Sequence, residues 1–310
     1  MISCKDFIPV YSEIFCYLEG NFGREEVDHY WDAIFKVNAN KKSPLLICLE
    51  KEGLKGCFTY WSGTLNEEAA HFSMYLNEKR GFFKIDMHRC PSKGRLVDLQ
   101  EQVGLKPYPH YCLHCDGYRS ACSAVGLEYI YNFQNMDKAG CSLFIYDPKI
   151  FDGRIIMDED TQVMHRNASD NEYYHPSFHK SLNVGLDYVG RTHGEAGVRE
   201  VLSNYVNKVV KPLMGEVTLA SIEKMIHEDY AKEKSLEVLT TNLTENSLTV
   251  SVSHCPAIGH IRNIGYSPSP WYRYATTGVM EELAKLANCA FVMDSYDEET
   301  GAAEYHFVKK

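Results

Sequence analysis

The pattern G-x-x-P-x-P-x-Y occurs twice in this chain, as Gly104-Leu105-Lys106-Pro107-Tyr108-Pro109-His110-Tyr111 and as Gly265-Tyr266-Ser267-Pro268-Ser269-Pro270-Trp271-Tyr272. The same spacing aligns Gly117 with Gly278 and Gly140 with Gly301. A second match, at nearly the same separation, sets Cys90-Pro91 and Gly94 against Cys255-Pro256 and Gly259. Further upstream, Phe7, Tyr17, Gly23 and Val27 align with Phe178, Tyr188, Gly194 and Val198. Self-similarity on this scale decides the architecture before any local reading does. It predicts two tandem copies of one module, 1–147 and 174–310, joined by a polar, acidic linker over 148–173 that lies across the surface.

Both copies carry the same plan. Amphipathic helical spacing comes first; in the second copy it runs through Val198, Leu202, Val206 and Val210, then from Ile222 to Tyr230. An alternating strand follows, at Phe83, Ile85 and Met87 and again at Leu248, Val250 and Val252. Each strand ends at Cys-Pro, where proline removes a ladder donor. After the proline-rich loop come a helix (111–125 or 272–287) and a hairpin (128–133 with 142–146, or 291–296 with 303–307). The predicted fold class is α+β, with helices packed on one face of a small antiparallel sheet, twice over.

Composition narrows the function. The formal charge of −10 opposes general nucleic-acid binding, which wants a basic face. No run approaches the roughly 20 apolar residues of a spanning helix, so no membrane partner is expected. Residues 1–20 have no basic start followed by an apolar core, and the 11 cysteines are an odd number. Both point to reduced thiols in the cytoplasm. Nine of the cysteines lie at or before Cys141; only Cys255 and Cys289 follow. Packing alone would scatter them through both copies. The 21 tyrosines suit half-buried rings whose hydroxyls find partners at pockets and interfaces.

Cys90 at a strand end, Cys112, His114, Cys115 and Asp116 at a helix start, and Cys141 at a hairpin return come from elements that should pack together. A thiol in a first helical turn feels the positive end of the helix, which lowers its pKa and favours thiolate. That gives Cys112 or Cys115 a route to nucleophilicity, with His114 or His88 as base and Asp116 to hold a proton or orient water. The plainer alternative makes Cys90 and Cys141 packed thiols at a helix–sheet seam. Cys112, His114 and Cys115 with Cys90 and Cys141 would also supply enough soft ligands for Zn²⁺, although no repeated C-x-x-C pair is present. His175 and His179, four apart at a helix start, form a second metal candidate. In the second copy His254, Cys255, His260, Tyr272 and Arg273 could line a pocket for a carboxylate, or Arg273 could be solvated.

Cys-Pro at a strand end, a helix that opens with cysteine and a hairpin returning as Gly140-Cys141-x-x-Phe144 resemble the L-2-amino-thiazoline-4-carboxylic acid hydrolase family. The strand–helix–hairpin plan, with Gly117 inside the helix, is similar to the 4-vinyl reductase domain. The resemblance implies opening of a cyclic amidine or thiazoline C–N bond in a small molecule by thiol chemistry. Candidate substrate contacts, read from the residues themselves, are His88, Tyr111, His254, Cys255 and Arg273, and a homodimer is left open. Arg273 stands where Cys112 stands and Ala302 where Cys141 stands, so the second copy is expected to bind or scaffold. The other implied reading is a sensor that binds a small molecule or metal without catalysis. No cofactor is required by the pattern, and zinc is the one it admits.

Overall fold

A computed structural model of the chain describes residues 1–38, 40–133, 136–170 and 172–310. In chain order the elements are α1 (Phe7–Phe22), α2 (Arg24–Phe35), α3 (Pro44–Glu52), α4 (Lys55–Glu67), β1 (His71–Asn77), β2 (Phe82–Arg89) and α5 (Pro91–Val103). A 3₁₀ segment, Tyr111–Gly117, leads into α6 (Tyr118–Ala124), β3 (Glu128–Asn132), β4 (Cys141–Tyr146) and β5 (Gln162–Arg166). Then come α7 (Ser177–Tyr205), α8 (Lys211–Met214), α9 (Leu219–Lys232), β6 (Leu239–Leu243), β7 (Ser247–Val252), α10 (Pro256–Asn263), α11 (Tyr274–Leu286), β8 (Cys289–Tyr296) and β9 (Ala303–Lys309). No helix among the described residues is long and apolar enough to cross a membrane.

Packing divides the chain into two compact units. A thiol-rich unit holds 22–98 and 109–173, and a C-terminal unit holds 1–21, 99–108 and 174–310. These are packing units, whereas 1–147, 148–173 and 174–310 are boundaries of sequence similarity. The chain is α+β with two antiparallel sheets, ordered β3-β4-β2-β1-β5 and β8-β9-β7-β6. Four strands therefore follow the same order in both sheets, β3 matching β8, β4 matching β9, β2 matching β7 and β1 matching β6. The fifth strand adds to the linker reading: Gln162–Arg166 lie mostly exposed and pair antiparallel with β1, from Phe72 opposite Arg166 to Leu76 opposite Gln162. The free edge of β1 offers unpaired backbone groups, and a segment with Val163 and Met164 at its centre takes them up.

Local chemistry explains the element ends. Ser43 caps α3 by accepting from the Leu46 N–H at 3.1 Å, with Pro44 at the first helical position. Thr218 and Ser221 form a reciprocal cap on α9. Left-handed backbone recurs at matching places in the two halves. Gly23 (φ 90) separates α1 from α2, and Gly194 (φ 74) breaks α7. Ala69 (φ 51) and Lys234 (φ 57) follow α4 and α9, and Gly104 (φ 70) and Gly265 (φ 83) open the proline-rich loops. In the thiol-rich unit Phe72, Met74, Phe83, Ile85, Leu143 and Ile145 turn one sheet face towards Leu46, Leu49, Trp61 and Leu65 of α3 and α4. Each such side chain contributes roughly 1.5–3 kcal/mol when fully buried.

Ala69 carries a testable consequence. It ends α4 in a motif where the Ala70 N–H reaches the Leu65 carbonyl at 3.0 Å and the Ala69 N–H reaches Asn66 at 3.1 Å. An L-residue there is strained, so Ala69→Gly should stabilise the unit by about 0.5–1 kcal/mol in denaturant unfolding, the left-handed relief exceeding glycine's entropy cost. A loss of stability would contradict this conformation.

Candidate functional site

In the thiol-rich unit β2 delivers the first thiol. Its inward residues Phe83, Ile85 and Met87 end at Arg89, and Cys90 turns the chain into α5. The Cys90 N–H donates to the Ala139 carbonyl at 2.7 Å, while its own carbonyl accepts from the Gly94 N–H at 2.7 Å. Its sulfur accepts from the Lys93 N–H at 3.4 Å. Cys141 begins β4 opposite Met87. The 3₁₀ segment supplies Cys112, His114, Cys115 and Asp116, and is anchored at both ends. Tyr111 and Ser92 share a hydroxyl hydrogen bond of 2.6 Å, and the Tyr129 hydroxyl donates to the Cys115 carbonyl at 2.6 Å.

Electrostatics overturn the helix-start argument for a lowered thiol pKa. Burial pushes Cys112 and Cys115 up to about 12 and Cys141 up to about 11, and raises Cys90 well above its ordinary value. Each of these thiols is pushed further by at least one neighbour among Cys90, Cys141, Cys115, Glu68 and Asp116. The segment is a seven-residue 3₁₀ turn, too short for aligned peptide dipoles to outweigh desolvation. The Tyr131 hydroxyl hydrogen-bonds to Cys115 and Cys141 and partly offsets the shift. The cluster is thus neutral at pH 7.

Within it one pair has catalytic geometry. The His114 Nδ1–H donates to the Tyr111 carbonyl at 2.5 Å, which leaves Nε2 to accept from the Cys115 thiol at 3.5 Å. Burial lowers the His114 pKa to about 4, so the imidazole is uncharged at neutral pH and a weaker base than an exposed histidine. Its ring stacks on Phe35 at 6.2 Å and meets Tyr111 edge-on at 4.8 Å. Glu68, just past α4, has its carboxyl pushed up to about 8 by burial and then by Glu67, while His114 draws it down. A carboxyl, an imidazole and a thiol, all shifted by burial and influencing one another, make this a candidate functional site.

A cleft of about 730 Å³ opens on one side of this arrangement. Its lining includes His114, Asp116, Phe35, Trp31, Arg24 and Arg119, and none of the thiols. Asp116 is held by Arg119 in a two-pronged ion pair, at 2.6 and 3.2 Å, which fixes its charge at the rim. Arg24 pairs with Asp28 at 2.8 Å and lies 4.4 Å over the Trp31 ring.

The remaining predicted residues lie elsewhere. His88 is exposed at the end of β2 on the sheet face opposite Met87, with Nε2 2.7 Å from Ser73 Oγ. His254 is exposed beside Ser253. Arg273 is exposed, 3.7 Å from Glu298 and stacked over Tyr274, so no arginine fork enters a pocket there. Cys255 and Tyr272 are buried in the C-terminal unit, where the Cys255 N–H donates to the Thr300 carbonyl at 2.9 Å, as Cys90 does to Ala139. His175 precedes α7 and packs edge-on to Phe178 at 4.4 Å. His179 has Nε2 2.9 Å from Glu233 and Nδ1 3.4 Å from the Tyr272 hydroxyl, so both nitrogens are engaged by protein. Among the described residues no group of three or more His, Cys, Asp or Glu is arranged to hold a metal ion. All 11 cysteines are free thiols. Sequence reasoning missed Glu68 and Tyr131. The tyrosine excess pointed towards the second, and nothing pointed to the first.

Gly117 sets the Phe35–His114 contact. A Cβ there would stand 2.3 Å from Phe35 Cγ. Gly117→Ala should therefore cost about 1–3 kcal/mol by overpacking, and much less in a Phe35→Ala background. Equal costs in both backgrounds would place the Phe35 ring elsewhere. Compared with known proteins, the chain matches no family model, no curated protein and no solved structure.

Proposed function

We propose that the thiol-rich unit is the catalytic half of a hydrolase that opens the C–N bond of a small cyclic amidine or thiazoline. The observation that carries the proposal is the Cys115 sulfur 3.5 Å from His114 Nε2, with the opposite nitrogen of the ring fixed by the Tyr111 carbonyl. Nucleophile, base and orienting group then stand in the order that covalent catalysis needs. The thiol proton passes to His114 Nε2 as sulfur bonds to the amidine carbon. The C=N π pair moves to the ring nitrogen, which takes the proton back from His114. The other amidine nitrogen then re-forms a C=N bond as the ring C–N bond breaks, and the proton it gives up goes to the departing nitrogen. Water attacks the thio-bound carbon, His114 takes its proton, and Cys115 leaves and is reprotonated. The cleft lined by His114 and Asp116 is the approach for the substrate, and its wall must open for the Cys115 sulfur to meet it, since no thiol lines the cleft.

The resemblance to 4-vinyl reductase modules in tandem enters the same proposal. Equal strand order in the two sheets and recurring left-handed positions support descent from one module. The second copy, with Arg273 and Ala302 in place of two thiols, binds or scaffolds. A second reading, a small-molecule binder or sensor without catalysis, is favoured by one observation: every thiol of the cluster is held protonated by burial.

Activity on thiazoline- or amidine-type rings separates the readings. Cys115→Ser should abolish turnover, and His114→Gln should lower it roughly 10²–10⁴-fold. Cys112→Ser should be milder, since no imidazole contact of Cys112 is found among the described residues; equal losses at both cysteines would remove the special role of Cys115. The pH profile has a defined sign. Glu68 loses its proton as pH rises through about 8, and its charge opposes thiolate formation at Cys115, so kcat/KM should fall on that side. Protonation of His114 as pH falls through about 4 removes the base. Glu68→Gln should abolish the alkaline fall. A profile unchanged by that substitution would exclude Glu68.

A further inference from the structure

The C-terminal unit buries a polar cluster that the proposed chemistry does not use. Glu233 accepts through one carboxylate oxygen from His179 Nε2–H at 2.9 Å, and Tyr272 contributes its hydroxyl to His179 Nδ1 at 3.4 Å. The other Glu233 oxygen accepts from the backbone N–H of Cys4 at 2.6 Å. Cys255 donates its S–H to the Met1 thioether at 3.6 Å. Met1, Ile2, Ser3 and Cys4 are 4%, 2%, 1% and 0% exposed, values of core residues, although they precede the first helix.

What they cover is informative. Cys255 and Tyr272 are the counterparts of Cys90 and Tyr111, so residues 1–4 sit where the thiol-rich unit has its reactive cluster. The contacts are those of a ligand in a site. The Ser3–Asp6 turn presents the Cys4 N–H to a buried carboxylate, and an apolar thioether side chain meets a thiol. A buried carboxylate is costly unless donors satisfy it, and burial alone would raise Glu233. The His179 and Cys4 hydrogen bonds more than offset this and hold it below the usual range. An apolar core would not need that carboxylate.

We propose that the C-terminal unit holds a binding site for a short peptide with an apolar thioether side chain, and that residues Met1–Cys4 are its resident, displaceable occupant. Glu233 reads the backbone N–H, and Cys255 with its surroundings reads the side chain.

The test uses the full chain in two variants, Ile2→Glu, which expels the segment by burying a charge, and Cys4→Pro, which removes the N–H donated to Glu233. Alkylation by iodoacetamide, mapped by mass spectrometry, reads Cys255, with buried Cys289 as the reporter of unfolding. Both variants should label Cys255 at least tenfold faster than the parent while Cys289 stays protected, because only the segment opens. A synthetic peptide of the sequence of residues 1–6 should then bind the variants saturably, and Glu233→Gln added to either variant should abolish that binding. The proposal is overturned if Cys255 stays protected in both variants, if Cys289 is exposed in parallel in both, or if the peptide binds neither.

Discussion

The hydrogen bond from the Cys90 N–H to the Ala139 carbonyl, at 2.7 Å, holds the candidate site together. It joins the end of β2 to the turn before β4, at the point where Pro91 has already ended the strand ladder. It continues the β2–β4 pairing beyond Met87 and Cys141 and fixes the turn before β4 against Cys90. The C-terminal unit repeats the bond between Cys255 and Thr300 at 2.9 Å, and repeats the helix-opening bond from Gly259 to Cys255 at 3.0 Å. One backbone device thus positions a thiol at the mouth of a helix twice. The side chains gathered around each copy then differ.

In the thiol-rich unit those side chains make an enclosure without net charge. Desolvation is the leading cause of every shift in it, upward for the thiols and Glu68 and downward for His114. The chemistry this permits differs from that of a preformed thiolate–imidazolium pair, because the proton moves only when a substrate carbon accepts the sulfur electrons. In the C-terminal unit a charged carboxylate remains, kept ionised by His179 and a backbone N–H.

Much of the architecture was legible because punctuation is local. Cys-Pro, the G-x-x-P-x-P-x-Y loops and the hairpin glycines announce their own backbone geometry, and the strands ending at Cys-Pro and both hairpins fell where expected; α5 and α10, which follow Cys-Pro, were not read, and 111–117 is 3₁₀ rather than the start of an α-helix. β5 was not legible: Gln162–Arg166 is short and mostly exposed, and it is a strand only because β1 presents a free edge. The cysteine asymmetry pointed to the thiol-rich unit, and the choice among its thiols depends on which one an imidazole reaches, which depends on the three-dimensional course of Tyr111–Gly117. The expected pKa direction failed because sequence shows the helix start and hides the burial around it. Glu68 reads as an ordinary residue at a helix end; only the packing of α4 makes it a protonated acid.

The most direct test of the account is to trap the covalent intermediate. The protein is mixed with a small thiazoline or cyclic amidine, quenched in acid within the first turnovers, and its peptides are mapped by mass. The account predicts a substrate-derived adduct on Cys115, increased when His114 is replaced by Gln if release is slowed more than attack, and absent from Cys112 and Cys255. An adduct confined to another cysteine, or rapid turnover with no adduct on any thiol and full activity in Cys115→Ser, would contradict it.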